Sequence, residues 1–122
     1  MVRIVKEKIR PEELKKIAED SFGTLIKVAV DVEKDILAAG GEWHSEGQDL
    51  LVRQEGSTGE NVLGANFHLF EKKEKRIDYF ALINLKPGLG NRDMEIQDAS
   101  VRRKVKEILE QLLLTEDETL SP

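Results

Sequence analysis

Two histidines, His44 and His68, are the first residues to weigh for chemistry. Imidazole is the side chain that exchanges protons near neutral pH. His44 closes the run Gly40-Gly41-Glu42-Trp43-His44, and in an extended chain Glu42 and His44 project to one side. With His68 and a carboxylate from Asp31 or Glu33, that pair could chelate a divalent cation. The spacing matches no zinc motif, and a chain with no cysteine offers neither a thiolate site nor a cysteine nucleophile. No metal and no cofactor is therefore expected. The serines lack the elbow or triad context of a nucleophile.

Glu33 is a second candidate. Read on a helix, it has Ile26, Val30 and Leu37 as neighbours at i−7, i−3 and i+4. A carboxylate half-buried in that way pairs with a cation or titrates high. Asn66 and Asn84 each interrupt an apolar run, and asparagine is depleted in strands. Lys86-Pro87-Gly88-Leu89-Gly90-Asn91-Arg92 lacks the Gly-Lys-Ser/Thr of a nucleotide-binding loop. Lys86 and Arg92 could still grip an anion through charge-assisted bonds, with Asn91 shaping the turn.

The elements that must hold these groups follow from periodicity. A short extended segment lies within Arg3–Ile9, followed by a helix opened by Pro11, Glu12 and Glu13 and striped by Leu14, Ile17 and Ala18. Leu25, Ala29, Val32 and Ile36 fit a second, longer helix over 24–39, stopped by Gly40-Gly41. Glu42–His44 begins a short strand, and 48–55 fits either a helical turn or a strand. Residues 62–71 and 76–85 form an antiparallel hairpin. A last helix carries Val101, Val105, Ile108 and Leu112, with Asp98 or Ser100 as its cap.

The sum is one α+β domain over residues 1–114, ordered β-α-α-β-β-β-α. Its sheet is largely antiparallel with the helices on one face. Residues 115–122 form an acidic tail expected to be disordered. Parity places Leu63, Ala65, Phe67 and Leu69 on the covered face. Glu42, His44, Asn66, His68, Asp78 and Asn84 fall on the open one.

Composition bounds the partners. The chain has 122 residues, 39% hydrophobic and 35% charged, with a formal net charge of −5. That supports a packed core without disulfides. Acidic balance argues against nucleic acid, whose binding is driven by phosphate neutralisation. No apolar run approaches the roughly 20 residues that span a bilayer. The first residues are too charged for a signal peptide, so the expected location is cytoplasmic.

One ordered set of short motifs runs along the chain. It comprises Asp31-x-Glu33, Gly40-Gly41-Glu42-x-His44, Gly64-x-Asn66, Ile83-Asn84-Leu85-Lys86-Pro87-x-x-Gly90-Asn91-Arg92, and Asp98 before the last helix. The set resembles a small family of uncharacterised bacterial and archaeal proteins known as a domain of unknown function. The resemblance spans the first strand to about Leu113. Arg is usual in the family where this chain has Lys86, and an aliphatic residue where it has Trp43. Lysine is a point donor, so that change weakens bidentate anion binding. The resemblance implies no activity, substrate or cofactor.

The function expected on these grounds is non-catalytic binding of a small anionic ligand or a partner protein. A homo-oligomer is also expected, with Leu113 and Leu114 adding to its contact. A rival is a metal-assisted or acid/base hydrolase built from His44, Glu33, Glu42 and Arg92, which requires those groups to converge in one concavity. A third reading is a small regulatory or antitoxin-like protein, which requires an exposed apolar patch.

Overall fold

A computed structural model describes residues 1–122. The chain is α+β: five strands in one antiparallel sheet and three α-helices. Strand β1 (Val2–Val5) and helix α1 (Pro11–Glu19) come first, as the periodicity indicates. The expected helix over 24–39 is instead a hairpin of β2 (Leu25–Asp31) and β3 (Ile36–Gly40). Its apolar residues satisfy both periods, and short apolar runs do not separate strand from helix. Ile26, Val28 and Val30 decide the matter: as β-branched residues at alternate positions they suit a pleat better than a helix. Asp31 then makes the turn. Its Oδ1 accepts from the Glu33 and Lys34 N–H groups at 2.9 and 3.0 Å, and Asp35 takes φ 58°. Gly40 and Gly41, read as a helix stop, end β3 with φ values of 104° and 83°.

The expected strand at Glu42–His44 is also replaced. Helix α2 runs His44–Glu55, and Trp43 is its extended N-cap. The Glu46 Oε1 reaches back to accept from the Glu42 and Trp43 N–H groups, each at 2.9 Å. This is the glutamate half of a capping box. Strand β4 (Val62–His68) lies where expected, and β5 pairs with it antiparallel but is only Ile77–Asp78. Beyond Asp78 the chain leaves β4. Phe80 bridges to Glu95, and Leu82–Asn84 forms a 3₁₀ turn. Helix α3 (Ala99–Leu112) is capped by Asp98, whose side chain accepts from the Ser100 and Val101 N–H groups.

Element order is therefore β-α-β-β-α-β-β-α, with the sheet in the order β1-β3-β2-β4-β5. Helices occupy both faces, not one. α1 and α3 bury Leu14, Ile17, Val105, Ile108 and Leu109 against the Ile26, Val28, Val30, Leu63, Ala65 and Phe67 face. α2 crosses the opposite face, where Leu51 packs on Ala29, Ala38 and Val62. A Cβ at Gly47 would lie 3.0 Å from that of Ala29, so glycine lets the helix settle against the sheet. α2 covers only part of its face. Lys27, Asn66 and His68 lie beyond it, half-buried.

Leu113 and Leu114, expected at a subunit contact, are fully buried within the chain. The following residues, expected as a disordered tail, touch the body. Buried Arg76 donates to the Thr115 and Glu118 carbonyls at 3.1 and 2.7 Å, Glu118 pairs with Lys8, and Leu120 packs on the main core. No helix is long and apolar enough to cross a membrane.

Candidate functional site

The expected parity within β4 holds: Leu63, Ala65 and Phe67 face α1 and α3, while Gly64, Asn66 and His68 face the other way. His44 reaches this second face from the first turn of α2. Its Nε2 lies 3.0 Å from the Ala65 carbonyl oxygen. A carbonyl can only accept, so Nε2 carries the proton and Nδ1 is the acceptor nitrogen of the neutral ring. Burial pushes the His44 pKa below its usual value; the Ala65 carbonyl opposes the shift and the Lys27 charge adds to it. The close approach is permitted by Gly64. A Cβ there would stand 3.1 Å from His44 Cδ2 and 2.6 Å from the Ala81 Cβ.

Asn66 sits beside this ring. Its Nδ2 donates to Asp78 Oδ2 at 3.1 Å and to the Phe80 carbonyl at 3.3 Å, while its Oδ1 is buried without a partner. An unpaired buried acceptor costs about 1–3 kcal/mol. Together His44 and Asn66 floor a slot of about 200 Å³, also lined by Lys27, Trp43, Phe80 and Leu82. The rim is apolar and unusually open. Trp43 is 65% exposed, Leu82 73% and Phe80 45%, whereas Phe22, 47% exposed, lines the neighbouring cleft. Lys27 Nζ lies 5.5 Å from the Phe22 ring centre and 6.0 Å from that of Trp43, within cation–π range. It forms no ion pair. On the other side of Trp43 lies a wider cleft of about 750 Å³, lined by Asp20, Glu42 and Glu46 as well as Lys27.

The remaining candidates go elsewhere. Asn84, fully buried, replaces a missing strand: its Oδ1 accepts from the Gly64 N–H at 2.7 Å, and its Nδ2 donates to the Gly64 and Met94 carbonyls, each at 3.0 Å. Asn91 knots the following loop, donating to the Asn84, Asp93 and Glu95 carbonyls and accepting from the Gln97 N–H. Both amides are consumed by backbone. Lys86 does not reach outward with Arg92. It is 7% exposed and donates to Gln48 Oε1 at 2.8 Å, and burial lowers its pKa against the pull of Glu60. Arg92 is exposed on the loop.

Glu33 is exposed in the β2–β3 turn, accepting from Asn61 Nδ2 at 2.6 Å, and is not half-buried as a helical position would make it. Glu42 is exposed and belongs to the wider cleft. His44, Glu33 and Arg92 share no concavity, and no group of three or more His, Asp or Glu side chains is placed to hold a metal. The convergence that a hydrolase needs is not formed. The slot can instead stack, hydrogen-bond and attract one negative charge.

The model of the family described as "Protein of unknown function (DUF5674)" matches residues 3–112. The chain belongs to this family. No curated protein and no solved structure is significantly similar to it. The DUF5674 match takes in every group of the slot and stops at the end of α3, short of the segment held by Arg76.

Sequence reasoning missed Lys27, Phe22, Phe80 and Leu82. Lys27 carries a signal, a lone cation inside Leu25-Ile26-Lys27-Val28-Ala29-Val30. Read as a strand, that run puts Lys27 opposite Asn66 on the adjacent strand. Parity groups Phe80 and Leu82 with Asp78 and Asn84 on the open face, but their exposure follows from the chain leaving β4.

Proposed function

We propose that this domain binds a ligand without transforming it, and that its site is the slot beside α2. One observation carries the reading: an unpaired lysine near the exposed Trp43 ring lines one concavity together with the polar groups of His44 and Asn66. Apolar walls with a few convergent polar groups are the usual make-up of a small-molecule site. His44 acts as a neutral hydrogen-bonding wall, not as a base, because no carboxylate or nucleophile is hydrogen-bonded to its ring. The anion grip lies with Lys27 in place of the Lys86–Arg92 pair. A charged, cysteine-free chain supports a cytosolic setting.

A thermal-shift screen of small metabolites tests this, run on the wild type, Lys27→Met and Arg92→Ala. A ligand at a hundred times its Kd adds about 2.7 kcal/mol to stability. The expected result is a stabilising ligand whose effect is lost in Lys27→Met and kept in Arg92→Ala. The reverse pattern would return the site to the loop.

A second reading is docking of a partner protein. The exposure of Trp43, Leu82, Phe22 and Phe80 favours it, since contiguous exposed apolar surface marks interaction sites.

A further inference from the structure

Resting on that reading, we infer the chemical class of the ligand: a planar aromatic ring bearing one carboxylate. Shape comes first. The slot holds about 200 Å³ and is lined by the apolar side chains of Trp43, Phe80, Ala81, Leu82 and Ile83. Trp43, Phe80 and Leu82 are open to solvent, so a flat ring entering among them removes apolar surface from water. The volume suits one or two fused rings.

Charge comes second. Lys27 has no carboxylate partner and lines the slot, its ammonium 6.0 Å from the centre of the Trp43 ring that lines it too. At the same end stands the first turn of α2, where Glu46 satisfies the Glu42 and Trp43 N–H groups. The His44 and Ser45 N–H groups make no hydrogen bond within the protein. Ser45 lines the slot together with Lys27 and His44. A ligand carboxylate there meets a full positive charge beside the N-terminus of α2.

The surroundings limit that charge to one. Asp78, bound to Asn66, is close enough to act on His44, and Glu46 lies in the first turn of α2. A phosphate dianion would meet both acids with only Lys27 to balance it. A cationic ring would meet Lys27 itself.

Three planar probes of matched shape separate these terms: benzoate, benzamide and benzamidine, which differ in charge. Trp43 is the only tryptophan and lines the slot, so its emission reports occupancy. Molecules this small bind on the order of millimolar. The expected result is saturable quenching by benzoate, about two- to fivefold weaker binding of benzamide, as the loss of one partly exposed charge contact dictates, and none of benzamidine. Phenyl phosphate binds more weakly than benzoate. In Lys27→Met, benzoate falls to the level of benzamide while benzamide is unchanged. Equal affinity for the three probes, or tighter binding of phenyl phosphate, overturns the carboxylate class while leaving the slot as a binding site. No response to any probe overturns both.

Discussion

Single residues divide into those that serve the fold and those it leaves free. Asn84 looks like Asn66 in sequence, since both interrupt an apolar run, whereas Asn91 sits in a turn-rich loop. In the folded chain Asn84 and Asn91 spend their amides on backbone groups, whereas Asn66 keeps a buried oxygen unpaired. Sequence shows that an asparagine is out of place but not which backbone it serves, because the partners of Asn84 lie 20 and 10 residues away. His44 yields a pH prediction. Its pKa is lowered on folding, so as pH falls the unfolded chain takes up the proton first and the native state loses stability. The contribution is present above the ordinary histidine pKa of about 6.5 and is lost as pH drops through the lower folded value. Denaturant melts of wild type and His44→Gln at pH 7 and pH 5 check this. The wild type should lose more stability than the variant over that interval, since a glutamine side chain does not titrate.

At the scale of elements, α1, β4 and α3 were the legible part. The α1 start at Pro11, the Asp98 cap and stripe of α3, and β4 all follow from local chemistry with no competing period. Residues 24–55 were not. Over 24–39 the apolar spacing fits helix and strand equally, and the turn that decides it depends on Asp31 folding over its own backbone. A helical reading there also hides α2, because a helix ahead of Gly40-Gly41 leaves Trp43 and His44 to begin a strand. The position of α2 is what makes the slot, and Gly47 sets it. Gly47→Leu places carbon where a Cβ already stands 3.0 Å from Ala29 and 3.3 Å from Ala38. Overpacking of this kind costs about 1–3 kcal/mol. The expected outcome is a destabilised domain in which α2 is lifted and Trp43 emission shifts. Unchanged stability by urea melt would show that the helix does not rest on this contact.

For the whole molecule, the sheet is an asymmetric support. One face is fully used by α1, α3 and the main core, and the other is half-used by α2. The uncovered half gathers the unpaired Lys27, the unpaired Asn66 oxygen and the most exposed aromatic side chains. Folding alone does not account for that concentration, since each feature is costly or neutral to stability. Composition and parity reached the α+β class and a polar sheet face with Phe80 and Leu82 on it, but not their exposure, which arises where the chain departs from β4 after Asp78. This uncovered half is the binding site we propose. Backbone amide NMR of the full chain, titrated with benzoate and benzamide, locates it. Shifts are expected to cluster at Lys27, Trp43 to Ser45, Asn66 and Phe80 to Ile83. Shifts gathered on the Lys86–Arg92 loop, or absent throughout, would overturn the proposal.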